Sequence, residues 1–159
     1  MIKEAVIKLI EKNGSKEFFF GGMGHFDMMC ARVLSELKKK YKFLRTYLVI
    51  PYLTFRIENA AYYDEIIFPQ ELEGVFFKKC ILLRNQYLVD HANAAICYIN
   101  HSWGGAYQTY EYAKKKGLYI IDIAWIFPKL GSKETVDFVK NMDFLKLQIL
   151  HLQKKKSVV

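Results

Sequence analysis

The sequence predicts an α/β fold: a mostly parallel sheet of about four to five strands with helices on both faces. Three observations carry that expectation. Apolar runs of strand length alternate with longer segments of helical period, the pattern of a parallel sheet buried from both sides. Hydrophobic residues make up 52% and aromatic residues 16% of the chain, a composition that supports a packed core and is unlike that of a disordered chain. The 159 residues amount to one domain, since ~100–200 residues per domain is usual, and no repeat or low-complexity linker divides them. Residues 1–159 therefore read as a single domain, with 151–159 a basic, disordered tail.

In chain order, residues 2–12 place Ile2, Val6, Leu9 and Ile10 on one face of a first helix, ended by Asn13-Gly14. Residues 16–20 are the first strand. Gly21-Gly22-Met23-Gly24 turns the chain into a second helix, whose apolar face is Phe26, Met29, Cys30, Val33, Leu34 and Leu37. Residues 45–50 form the second strand, stopped by Pro51. An irregular aromatic stretch then leads to a short apolar piece at 65–68 and a turn at 69–74. The pattern is helical again over 75–91, and 94–99 is the third main strand. Trp103-Gly104-Gly105 opens a helix through Ala106, Tyr110 and Ala113, with Gly117 as its stop. Residues 118–124 are the last strand. After Pro128 and Gly131, Ser132 and Thr135 begin a C-terminal helix carrying Val136, Val139 and Phe144, followed by Leu147 and Leu150.

The formal net charge of +8 invites a nucleic-acid reading. Nine lysines, however, fall in three triplets at 38–40, 114–116 and 154–156, each at the expected C-terminal end of a helix. There a cation meets the negative end of the helix dipole and stays solvated. Those nine outnumber the net charge, so charge alone makes a weak case for nucleic acid. Cys30, Cys80 and Cys97 lie far apart inside apolar stretches and form neither a disulfide framework nor a zinc knuckle. No apolar run reaches the ~20 residues that span a bilayer, and no basic-then-apolar leader opens the chain. The expectation is a cytoplasmic protein without a membrane partner.

Two strand-to-helix turns share one construction, an apolar strand followed by Gly-Gly and a helix: Gly21-Gly22-Met23-Gly24, and Gly104-Gly105-Ala106. Glycine permits positive φ and close approach of a ligand, while the first free amides and the dipole of the helix attract an anion. In open α/β sheets, ligands bind at this carboxyl edge of the strands. The same glycines equally serve only to make the bend. Asp27 stands where the third glycine of G-x-G-x-x-G belongs, and no G-K-[ST] occurs, which argues against a dinucleotide dehydrogenase and a P-loop ATPase. Asp27 itself, in a first helical turn, either caps backbone amides or accepts a ribose hydroxyl. Asp90 orients Arg84 or the ligand, or only faces solvent. His25 stands beside the first turn, but His25, His91, His101 and His151 show no metal-ligand spacing, so neither metal nor cofactor is expected. Phe55, Tyr62 and Tyr63 either stack on a base or pack as core or lid.

The run Gly21-Gly22-Met23-Gly24-His25-Phe26-Asp27, the strand ending at Pro51-Tyr52, Arg84-Asn85 with Val89-Asp90, and Gly104-Gly105 with Tyr112-Ala113 resemble the YpsA-type branch of the SLOG superfamily. That superfamily includes the DNA-processing protein DprA and the LOG phosphoribohydrolases. The similarity covers roughly residues 10–124. It implies a Rossmann-like three-layer fold and binding or sensing of a nucleotide or nucleotide derivative. In that reading Gly21, Gly22, Gly24, Gly104, Gly105 and Ala106 offer amides, Arg84 pairs with phosphate, and Asp27, Asn85, Asp90 and Thr109 complete the ligand-binding set.

LOG enzymes carry P-G-G-x-G-T-x-x-E. Here the matching stretch is Trp103-Gly104-Gly105-Ala106-Tyr107-Gln108-Thr109-Tyr110-Glu111, which keeps two glycines and Glu111 but not the proline, the third glycine or the threonine in place. An alternative the resemblance implies is therefore an N-glycoside hydrolase of nucleoside monophosphates, with Glu111 stabilising an oxocarbenium-like sugar and Arg84 holding the phosphate. A second alternative is DprA-like binding of single-stranded DNA, steeply salt-dependent. Relatives usually begin with a central strand and a Thr-Gly-His-Arg-like turn, whereas this sequence opens on the helix that follows. Lacking that usual first strand, the sheet is expected to close its gap with its remaining strands or with a second subunit in a homo-oligomer.

Overall fold

A computed structural model describes residues 1–125 and 148–149. Helix α1 (Ile2–Asn13) ends at Gly14, whose φ of 68° is the left-handed stop expected of Asn-Gly. Strand β1 (Glu17–Phe20) leads into α2 (His25–Leu37), and β2 (Arg45–Val49) and β3 (Glu65–Ile67) follow. Helix α3 (Phe77–Asp90), strand β4 (Ala94–Cys97), helix α4 (Gly104–Lys115) and strand β5 (Tyr119–Asp122) complete the expected alternation. A last strand, β6 (Gln148–Ile149), lies where the sequence showed only the apolar continuation of a helix. The helix expected from Ser132 and the tail at 151–159 fall outside the described residues.

The strands form two three-stranded sheets. β1, β2 and β3 are parallel in that order, whereas β4 pairs in parallel with β5 and antiparallel with β6. Side-chain alternation shows that both sheets belong to one middle layer. Phe18 and Phe20 of β1 share a core with Ala94 and Ile96 of β4, against Val6 and Leu9 of α1 and Phe26, Cys30 and Leu34 of α2. Phe19 and Ala95 turn the other way, onto Leu88 and Val89 of α3 and Ala113 of α4. The molecule is thus a three-layer, Rossmann-like α/β fold. Instead of one sheet of four to five strands it has six short ones. β6 lies against β1 as well as pairing with β4, so the seam between the halves is not an open slot.

The three cysteines are free and buried, as their apolar surroundings imply. The first lysine triplet departs from expectation, because Lys38 does not point into solvent. Its Nζ lies 2.6 Å from both Thr46 Oγ1 and Asp64 Oδ2, pinning the end of α2 to β2 and to the residue before β3. Burial works against the Asp64 carboxylate, but hydrogen bonds from Lys38 and from the Thr46 amide and hydroxyl outweigh it and hold its pKa below the ordinary value. Lys114 pairs with Glu111 and Lys116 with Asp90, so part of the basic surplus is neutralised in place.

Candidate functional site

Both glycine turns leave the sheet on the same rim, and one chain of side chains joins them. Arg84 sits on the stripe of α3 that includes Cys80 and Leu88, all three buried, so its guanidinium is directed under the β1–α2 turn. Its Nη1 donates to the carbonyl of Val49, at the end of β2, at 2.9 Å, and to the carbonyl of Gly21. Its Nε donates to Asn85 Oδ1 at 2.9 Å. Asn85 Nδ2 donates to Thr109 Oγ1 at 3.1 Å, and the Thr109 hydroxyl donates to the carbonyl of Gly105 at 2.7 Å. Gly21 and Gly105 are therefore ends of one hydrogen-bonded path.

The first turn is glycine-rich for steric reasons that the structure makes specific. A Cβ on Gly21 would stand 2.7 Å from Arg84 Nη1. Gly22 has φ +68°, and a Cβ there would meet Leu48 Cδ1 at 2.6 Å and Phe55 Cε1 at 3.2 Å. Gly24, at φ 94° and ψ 162°, holds a conformation essentially restricted to glycine at the start of α2. Gly22→Ala is expected to lower stability by about 2–4 kcal/mol, combining left-handed backbone strain with displacement of packed side chains. Urea unfolding checks it, and a loss under about 0.5 kcal/mol would show that the turn reshapes freely.

The amides of that turn face inward. Asp27 is 4% exposed, and its Oδ2 accepts the Met23 amide at 2.8 Å. Burial is the largest influence on the carboxyl and pushes its pKa up to about 7, against the charge of Arg84 and the amides of Met23, Gly22 and Gly21. Burial likewise lowers the Arg84 guanidinium to about 10, with the charges of Asp27 and Tyr52 opposing. Asp27 Oδ1 has no hydrogen-bond partner among the described residues. The carboxyl thus takes the place an incoming anion would need at α2, which favours the capping role of Asp27 over contact with a ribose.

Among the described residues the second turn is open. Helix α4 has no side-chain cap and no acidic residue in its first turn, and Gly104 and Gly105 are exposed. Among the described residues, nothing stands within 4 Å of a Cβ built on Gly105. Trp103, 67% exposed, stacks on His101 with ring centroids 4.2 Å apart. A second aromatic group borders the first turn: Phe55 lies beside Gly22, and Tyr52 contacts both Phe55 and the exposed Phe77.

The structure does not bring every expected residue to this rim. Asp90 is at the far end of α3, where it accepts the Tyr112 hydroxyl at 3.0 Å and pairs with Lys116 at 2.6 Å, beside the last turn of α4. Glu111 lies on the outer face of α4 and pairs with Lys114 at 3.1 Å, while Arg84 is turned inward, so the two do not meet. Thr109 is buried and bonded within the fold. Tyr63 packs edge-on against Phe20, and Tyr62 also lines that core. His25 begins α2 and is exposed. Sequence reasoning missed the Val49 carbonyl and the Asn85–Thr109 bond. A cation on an otherwise apolar helical stripe was the available signal for the first; the second joins helices that are remote in sequence and left none.

Among the described residues, no group of three or more His, Cys, Asp or Glu is placed to hold a metal ion. No helix among them is long and apolar enough to cross a membrane. No protein-family model matches this chain, and no curated protein is significantly similar to it. The fold and the rim define a Rossmann-like α/β protein with one closed and one open glycine turn.

Proposed function

We propose that this protein binds or senses a nucleotide or nucleotide derivative, with the phosphate at the open end of α4 and the base against the neighbouring aromatic side chains. The observation that carries the reading is the hydrogen-bonded path from Gly21 through Arg84, Asn85 and Thr109 to Gly105, which fixes the open turn to the body of the fold. A fixed row of amides at a helix N-terminus costs no reorganisation when it receives an anion. The amides of Gly104, Gly105 and Ala106 supply the anion site, Trp103 with His101 supplies a stacking surface, and Arg84 acts as the residue that positions the turns. The resemblance of Gly21 to Asp27 and of Gly104 to Glu111 to SLOG sequences supports the same ligand class. The separation of Glu111 from Arg84 gives no support to glycoside hydrolysis through that pair.

The test is a thermal-shift series with nucleoside mono-, di- and triphosphates on the full chain and on Gly105→Glu. Specific binding stabilises the native state by mass action, about 2.7 kcal/mol at a hundredfold excess over Kd. Since no described residue lies within 4 Å of a Cβ at Gly105, Gly105→Glu is expected to keep its melting temperature without ligand and to lose at least tenfold in affinity. No stabilisation of the wild-type chain by any nucleotide, or equal stabilisation of the variant, would overturn the reading.

A further inference from the structure

Among the described residues, the two halves of the middle layer are joined by very little backbone. β1 hydrogen-bonds to β2 on one edge, and its other edge faces β6 without a regular ladder. β4 is held along four residues by β5 but along only two by β6, through the pairs Ala95↔Ile149 and Ile96↔Gln148. Phe18, Phe20, Ala95 and Ile96 on the flanking strands are all fully buried or nearly so, which places this seam at the centre of the molecule. Buried amides and carbonyls require partners, and neighbouring strands stand about 4.8 Å apart. A segment touching β1 while pairing with β4 therefore marks a gap one strand wide.

β6 fills that gap sparingly. It is antiparallel in a layer whose other pairings are all parallel, and it is two residues long. We propose that the seam between β1 and β4 is a strand-acceptor site, occupied by the chain's own β6 and open to exchange with a free peptide of the sequence around β6. Recognition runs through main-chain hydrogen bonds to the β4 edge. Short ladders exchange because each backbone hydrogen bond contributes only about 0.5–1.5 kcal/mol net. This inference is independent of what the glycine rim binds.

The experiment uses the full chain carrying Ala95→Cys and Ile149→Cys with Cys97→Ala, oxidised with diamide. Directly opposed residues of an antiparallel pair are about 4.5–5.5 Å apart at Cα, within the span of a disulfide. The expected result is a cross-link within one chain, formed at least fivefold more slowly in excess peptide of residues 144–153. Absence of the cross-link, its formation only between two chains, or indifference to the peptide would each overturn the proposal. Labelled peptide binding to the wild-type chain and to Ile149→Pro gives a second reading that needs no engineered cysteine. At least tenfold tighter binding to Ile149→Pro is expected, and equal or absent binding would refute exchange.

Discussion

Arg84→Met is expected to destabilise the protein by about 3–5 kcal/mol, the largest effect of any single substitution at the rim. Arg84 is 2% exposed, and its donors serve four acceptors: the carbonyls of Gly21 and Val49, Asn85 Oδ1 and Met23 Sδ. Methionine refills much of the volume but supplies no donor, so two buried carbonyls and the Asn85 side chain lose their partner together. It also removes the positive charge that opposes burial at Asp27, so that carboxyl holds its proton more tightly. Arg84→Lys is expected to recover less than half of the loss, because an ammonium lacks the planar fork that reaches both carbonyls and Asn85 at once. Urea unfolding at pH 7 measures both variants. A loss under about 1 kcal/mol for Arg84→Met would mean that the two glycine turns are held by something other than this side chain.

The main elements were legible in the sequence, because hydrophobic period and glycine punctuation are local signals, whereas Arg84, expected to meet a phosphate, is instead buried and spends its donors on the fold. Asn13-Gly14 stops α1, Gly117 follows α4 with φ 74°, and Phe18-Phe19-Phe20 is a strand buried on both faces. What was not legible depends on distance in the chain. β6 is defined by its partner β4, more than fifty residues away in sequence, and its two residues carry no pattern that separates them from the end of a helix. Lys38 reads as a helix-end cation until Asp64 and Thr46 arrive from elsewhere in the fold. The composition of the two glycine turns is almost the same, yet one is closed and the other open. The difference lies in Asp27, whose carboxyl folds back onto Met23, whereas no side chain caps α4.

That closed turn makes the protein's stability depend on pH. Asp27 has an ordinary carboxyl pKa near 3.8 when unfolded and about 7 when folded, with burial the leading cause. The folded state therefore holds the proton more tightly than the unfolded one between those values, and stability falls as pH rises through that window. The stabilisation is fully present below about pH 4 and is lost as pH passes 7. A shift of about three units corresponds to roughly 4 kcal/mol across the window. Asp27→Asn keeps an acceptor for the Met23 amide but carries no charge, so it should remove this dependence. The variant is expected to be more stable than the wild type at pH 8, by roughly 1–3 kcal/mol, with the gain shrinking towards pH 5; the discount from the full figure reflects an amide group that must find its own partners. Urea midpoints at half-unit steps from pH 5 to pH 8 decide it. Parallel profiles for the two proteins would show that the carboxyl is solvated in the folded state, and the first turn would then be as open to an anion as the second.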